Sequence, residues 1–469
     1  MLQKETIHGS PRFQPVTRRN VKKTPQWGRL TSRQRRALRV VSAVLPFKTN
    51  RYIMDELIDW DRLQDDPMFQ LTFPQRDMLA PDDFHLIACL LDSGAESSVI
   101  KSAVQRIRIA LNPQPAGQLS HNQPTLDGRP LAGLQHKYEQ TVLYFPSQGQ
   151  TCHAYCTFCF RWAQFVREPE LKLESRQVQD LVSYLKAHRE VTDVLITGGD
   201  PMIMSTAALR RHIEPLLDPE LEHLRSIRIG TKSVAYWPHR FVSDRDADEC
   251  LELFEQIVGT GKHLAIMGHY NHPVELSTPV SREAVRRIRD TGAQVRMQSP
   301  VVRHVNDDPV VWADLWQRGV ELGCVPYYMF VERDTGAQRY FEIPLTRAWH
   351  IFRKAYQQVS GLARTVRGPS MSAFPGKIRI LGTRVIDGQE AFILDYLQAR
   401  RPELVRIPFF ARYDPDATWF DQLKPLRSED AAFFDHETTS TNRPPTIQVR
   451  VHDRPEHRRP QPFTQTPRN

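Results

Sequence analysis

The sequence predicts an α/β fold built on a parallel sheet, and three observations point to it. From Thr141 onward, short apolar runs alternate with amphipathic helical stretches. Their spacing is that of strand–helix–strand crossovers. A cysteine cluster, Cys152, Cys156 and Cys159, directly follows the first of these runs. Parallel sheets carry their chemistry in such loops, at the C-terminal ends of strands. Six units fit either an incomplete barrel or an open doubly wound sheet.

The elements follow in order. Residues 1–44 read as a basic, largely disordered tail with a helical run near Ser32–Ala43. Residues 45–133 form a helical N-terminal region with patterns at Pro81–Leu91 and Ser97–Ala110. In the core, 134–345, strands are expected at Val142–Phe145, Asp193–Thr197, Ser226–Gly230, His263–Gly268, Gln294–Gln298 and Val325–Val331. Helices are expected at Arg176–Ala187, Ala207–Leu217, Asp246–Val258, Ser281–Thr291 and Pro309–Leu322, where apolar residues recur at helical spacing. The C-terminal region, 346–437, begins with a helix at Thr346–Ser360 and a Gly/Pro/Ser-rich loop at Gly368–Gly376. A strand pair at Ile378–Leu381 and Ala391–Tyr396 follows. Residues 438–469 read as a disordered, basic, Pro-rich tail.

Composition narrows the function. The chain has 469 residues, 40% hydrophobic and 25% charged, as a soluble globular protein does. No apolar run is long enough to span a bilayer, and no secretory pattern opens the chain, so a cytoplasmic location is expected. The net charge of +9 resides in the tails. Residues 1–40 hold eleven Lys/Arg and one acid, and residues 441–469 hold six Arg and two acids. The body is slightly acidic, so the basic tails are read as solvated, and nucleic acid is not the expected partner.

The chain has six cysteines, three of them within eight residues, while Cys89, Cys250 and Cys324 are scattered. That clustering suits metal ligation better than a disulfide scaffold. Structural zinc takes four protein ligands, commonly in two pairs, and no second C-x2-C follows. A zinc knuckle would need a histidine such as His153 or His136. A cubane held by three thiolates leaves one iron open to an outside ligand. After the next strand, Gly198-Gly199-Asp200 reads either as a plain turn or as a place where backbone approaches a ligand closely. His269 and His272 read as hydrogen-bonded pocket residues rather than metal ligands.

The C-x3-C-x2-C motif with Phe158 before its last cysteine resembles the radical S-adenosylmethionine superfamily. Further stretches resemble the lysine 2,3-aminomutase family, in its order: His136-Lys137-Tyr138, Cys159-Phe-Arg161, Ile227-Arg-Ile-Gly230, His269-Tyr-Asn-His272-Pro273, Gln298-Ser299-Pro, Pro326-Tyr-Tyr328, Gly368-Pro369 and Gly376-Lys377-Ile378. Together they span roughly residues 45–385. The resemblance implies a partial (β/α)6 TIM-like barrel of the radical S-adenosylmethionine type, with a helical N-terminal region and a short C-terminal extension. It implies a [4Fe-4S] cluster on Cys152, Cys156 and Cys159, with S-adenosylmethionine beside Gly198, Gly199, Asp200 and Gln298. It implies pyridoxal 5′-phosphate on Lys377, its phosphate near Lys137 and Tyr138. Arg161 would pair with the substrate carboxylate through its rigid fork.

The implied reaction is a 1,2 shift of an amino group, an isomerisation begun by a 5′-deoxyadenosyl radical. A reductase such as flavodoxin or ferredoxin would supply the electron, and homo-oligomers are expected by analogy. Where lysine-specific members carry two aspartates for the distal ammonium, this chain has Arg333 and Arg367. A substrate other than free L-lysine follows, with an acidic or neutral side chain. Where the family has a basic residue three positions beyond the tyrosine, this chain has Thr141. The loop before Lys377 is also longer and holds Ser-Met-Ser-Ala-Phe instead of glycines. A radical enzyme without pyridoxal phosphate, acting on another small molecule, peptide or protein, is the alternative. A zinc-stabilised nucleic-acid adaptor is a third reading, from a different class.

Overall fold

The computed structural model describes residues 11–113, 122–166 and 173–434. The centre is an eleven-stranded sheet. Its strands are β1 (Leu134–Tyr138), β2 (Thr141–Tyr144), β3 (Asp193–Ile196), β4 (Ser226–Thr231), β5 (His263–His269), β6 (Gln294–Val301), β7 (Val325–Val331), β8 (Arg367–Ser372), β9 (Gly376–Ile386), β10 (Gln389–Ala399) and β11 (Phe409–Arg412). They lie side by side in chain order. Strands β2 to β8 are parallel, whereas β1 and β9 to β11 pair antiparallel. A doubly wound sheet reverses its order at a switch point, and this order does not reverse.

The crossover helices carry conventional start signals. Helix Thr206–Ile213 is capped by Ser205, Pro279–Asp290 by Thr278 and Pro309–Glu321 by Asp308, the last two opening on proline. Strand burial alternates, as in β4, where Ile227, Ile229 and Thr231 are buried and Ser226, Arg228 and Gly230 are half-buried. One sheet face therefore packs under the helices, and the other is partly open and carries polar groups.

Three expectations are corrected. Residues 11–44 are structured: a strand at Pro15–Thr17 pairs with Lys48–Asn50, and a helix covers Ser32–Val44. Val16, Leu38, Val40 and Val41 bury in the main core, and apolar burial of that kind outweighs the basic composition that suggested disorder. The Gly368–Gly376 stretch is not one loop, since Arg367–Ser372 forms β8 beside β7. The C-terminal region is more than a short extension: β9 to β11 enlarge the same sheet around a second core of Ile378, Phe392, Tyr396 and Phe409. The expected tails fall partly outside the described residues, 438–469 wholly and 1–10 at the other end. Among the described residues, no helix is long and apolar enough to cross a membrane.

Candidate active site

The cysteines lie in the loop after β2, and the N-terminal segment holds that loop in place. Lys48 Nζ donates to Cys152 O at 2.6 Å, and Tyr155 N donates to Lys48 O at 2.8 Å. Asn50 Nδ2 donates to His153 O at 3.4 Å. Thr157 donates to Leu71 O through its backbone at 2.9 Å, and to Gln70 O through its hydroxyl at 2.7 Å. The three thiols are free and half-buried.

Burial pushes all three thiols up, Cys159 to about 12, and each of Cys152 and Cys159 is raised further by neighbouring thiols of the cluster. A cationic cluster would offset the cost of ionising them. The histidines that could complete a zinc site are engaged. His153 Nδ1 meets Ser233 Oγ at 2.8 Å, and His136 meets the Tyr184 hydroxyl at 2.6 Å and Glu139 O at 3.1 Å. Among the described residues, no three His, Cys, Asp or Glu side chains converge on a single-ion site. The donor set is thus three thiols, and it fits a cubane with one iron left for an outside ligand.

Gly198-Gly199-Asp200 packs directly on this loop. A Cβ on Gly199 would lie 2.5 Å from Thr151 N and O, so only glycine permits the approach. Asp200 N donates to Thr151 O at 2.8 Å. The Asp200 carboxylate is buried and accepts from Met202 N (2.9 Å), Thr231 Oγ1 (2.6 Å), Lys232 N (2.9 Å) and Ser233 Oγ (3.0 Å). The carboxylate thus ties the β3 and β4 loops together. Gln298 sits in β6 in register with His269 of β5 and Tyr328 of β7.

The remaining site residues come from several elements, from β1 and the cysteine loop to β8 and β9. Lys377 Nζ reaches to 4.2 Å from the Tyr328 ring centre. Burial, and then the nearby Arg228 and Arg367, bring its ammonium down to about 7. Arg367 stacks on Tyr327 (4.3 Å) and Tyr328 (4.8 Å). Arg161 lies over Phe145 at 4.1 Å and Phe160 at 5.4 Å, and its buried Nη1 has no partner among the described residues. Arg333 shares the Phe160 ring at 5.2 Å, and its Nε likewise has no partner among the described residues. His269 Nε2, Ser299 Oγ and Ser370 Oγ, on β5, β6 and β8, are buried and also lack a partner among the described residues. Orphaned polar atoms are rare in a protein interior, and these side chains would suit a polar ligand. Burial holds His269 well below its usual range, so its imidazole is neutral. Lys137 donates to Ala373 O, in the turn that leads to Lys377.

The structure therefore brings Cys152, Cys156, Cys159, Gly198, Gly199 and Arg161 together at one end of the run, and Lys137, Tyr138, Arg333, Arg367 and Lys377 beside them. Several residues of this site escape sequence reasoning. Lys48 comes from the segment expected to lie before the core. Lys232 pairs with the buried Glu275 at 2.6 Å and sits 4.4 Å from the Tyr236 ring, behind the Cys156 loop. Arg400 directly follows β10, and its sequence signal is no more than a positive charge just past a strand end.

No family model matches the chain. Among curated proteins it is 32% identical over 397 residues to an Aquifex aeolicus protein named "Putative L-lysine 2,3-aminomutase", covering 84% of this chain and 92% of that one. It is 26% identical over 266 residues to the L-lysine 2,3-aminomutase of Methanococcus maripaludis, covering 56% and 58%. It is 25% identical over 212 residues to the glutamate 2,3-aminomutase of Clostridioides difficile, covering 45% and 47%. In these last two comparisons the chain spans about half the relative's length. A solved radical SAM methyltransferase from Sphaerobacter thermophilus gives a TM-score of 0.34 at 18% identity, over 50% of this chain and 68% of that one.

Proposed function

The chain belongs to the lysine 2,3-aminomutase-like family of radical S-adenosylmethionine enzymes, and from this premise we propose that it is a pyridoxal-phosphate-dependent 2,3-aminomutase for an amino acid with an acidic side chain. The observation that carries the substrate is Arg367. It sits beside Lys377 on the two tyrosines of β7, and among the described residues it makes no ion pair. A substrate ammonium placed there would meet like charge at short range, at a cost of several kcal/mol as an upper bound. A carboxylate would be received by an arginine already stacked and oriented.

When bound, the cluster and S-adenosylmethionine supply a hydrogen-abstracting radical, and pyridoxal phosphate supplies the π system through which nitrogen migrates. The chain's own part is positioning. Cys152, Cys156 and Cys159 hold the cluster, and the close-packed Gly198-Gly199 turn shapes the place for S-adenosylmethionine beside it. Arg161 receives the substrate α-carboxylate, since its buried Nη1 has no partner among the described residues and its guanidinium lies over Phe145. Lys377, uncharged in part at neutral pH, is the nucleophile that takes pyridoxal phosphate. Arg333, between Arg161 and Lys137, adds cationic character between the carboxylate and the phosphate.

We read the sequential run β2 to β7 with its helices as a partial (β/α)6 barrel, residues 134–345 as the catalytic core and 346–437 as the region that supplies the cofactor lysine. The test is anaerobic reconstitution with S-adenosylmethionine, pyridoxal phosphate, a chemical reductant and a panel of amino acids. The expected result is an α-to-β amino shift in glutamate or aspartate and none in lysine. Release of 5′-deoxyadenosine without any shift, and no visible band dependent on Lys377, would overturn the reading in favour of a radical enzyme without pyridoxal phosphate.

A further inference from the structure

The position where the family keeps a basic residue for the cofactor phosphate is Thr141, and it cannot serve. Thr141 Oγ1 donates to Asp193 Oδ2 at 3.0 Å, and that carboxylate is in turn held by Arg228, whose Nε donates to Oδ1 at 2.8 Å. This pair sits at the N-terminal ends of β2 and β3.

A different arginine stands beside Lys137. The turn Ala373-Phe374-Pro375 joins β8 to β9 and leads into Lys377. Lys137 donates its ammonium to Ala373 O. Arg400 donates Nε to Phe374 O at 3.0 Å and its backbone N–H to Pro375 O at 3.0 Å. Its guanidinium lies over the Phe374 ring at 4.6 Å, and Nη2 donates to Asn122 Oδ1. Lys137 from β1 and Arg400 from the end of β10 thus grip successive carbonyls of one short turn. The charges acting on Lys137 are Arg400, Arg333 and Lys377, all cations, and Tyr138 lies among the same arginines. Cations gathered in a partly desolvated place repel one another, and a dianion would relieve that repulsion. The turn that anchors them also carries the lysine expected to hold the other end of the same small molecule.

We infer that Arg400 replaces the family's missing basic residue and, with Lys137 and Tyr138, receives the phosphate of pyridoxal 5′-phosphate bound at Lys377. The inference rests on the proposed cofactor and adds to it a residue and a direction: the phosphate points to the C-terminal hairpin, away from the cysteine loop.

The test compares two aldehydes, pyridoxal phosphate and pyridoxal, which differ only in the phosphate. Binding is followed by the visible band of the lysine-bound aldehyde on the full chain, with Lys377→Ala as blank. Arg400→Gln should weaken pyridoxal phosphate by about 10- to 100-fold, the size of a charge-assisted hydrogen bond, and leave pyridoxal within about twofold. Arg400→Lys should recover part of the loss. Equal weakening of both aldehydes would mean that Arg400 only braces the turn, and would overturn the inference. So would unchanged affinity for both. A wild-type chain with no Lys377-dependent band refutes the cofactor reading itself, and this inference with it, which keeps the two failures apart.

Discussion

The ammonium nitrogen of Lys377 lies 4.2 Å from the centre of the Tyr328 ring. The ring face stabilises a cation there, but burial and the charges of Arg228 and Arg367 outweigh it and bring the amine to about 7. An exposed lysine near 10.4 has almost no free amine at neutral pH. This one is about half neutral.

The first prediction is the pH dependence of cofactor capture. The neutral amine is the reactive form, so the rate at which pyridoxal phosphate becomes lysine-bound should rise with pH, pass half-maximum near 7 and level off above about 8. Stopped-flow absorbance measures it. A rate still climbing steeply above pH 9 would mean that Lys377 keeps an ordinary pKa.

Arg367 sets side-chain preference in this account. Arg367→Asp should lower kcat/KM for an acidic amino acid by about 100-fold or more, because like charges at close range cost several kcal/mol. The same variant should gain measurable turnover of a cationic amino acid. Equal loss on every substrate would show that Arg367 is structural.

Arg161 should act on binding of the α-carboxylate. Arg161→Gln is expected to raise KM about 10- to 100-fold, and Arg161→Lys should not restore it, because an ammonium lacks the planar fork. The paramagnetic signal of the reduced cluster should be unchanged in both. A changed signal would place Arg161 with the cluster instead.

Asp200 ties together two loops that shape the site. Asp200→Ala leaves Thr231, Ser233 and two backbone N–H groups without their acceptor. It should cost on the order of 2–4 kcal/mol of stability, read by denaturant unfolding of the apo chain. Asp200→Asn, which keeps one acceptor oxygen, should cost less. If Ala and Asn behave alike and neither loosens the fold, the carboxylate serves a ligand.

How far the sequence discloses this arrangement depends on how local the signal is. Strand and helix positions from Thr141 to Val331 are legible because apolar period and Pro or Ser/Thr caps are local. Ser97–Ala110 and Val325–Val331 fall where periodicity puts them. Arg367–Ser372 reads as a loop because its glycine, proline and serines are poor strand formers, and pairing with β7 overrides them. Residues 11–44 read as tail because their charge is local, and Lys48 and Asn50 read as part of a separate helical region because their contacts lie some 100 residues away. The thiol cluster and Lys377 are legible from spacing and resemblance. Arg400 is not, since Lys137 is distant in the chain and the two meet through their separate bonds to the β8–β9 turn. The glycines at 198 and 199 are legible as necessary, but what crowds them is the cysteine loop.

The most direct measurement of the central claim is metal and sulfide content with paramagnetic resonance on anaerobically reconstituted protein. The wild type should hold one cubane per chain, with its reduced signal altered by S-adenosylmethionine. Cys152→Ala, Cys156→Ala and Cys159→Ala should each lose the intact cluster and that response. Zinc without acid-labile sulfide in the wild type, or a full response to S-adenosylmethionine after loss of any one of these thiols, would contradict the account.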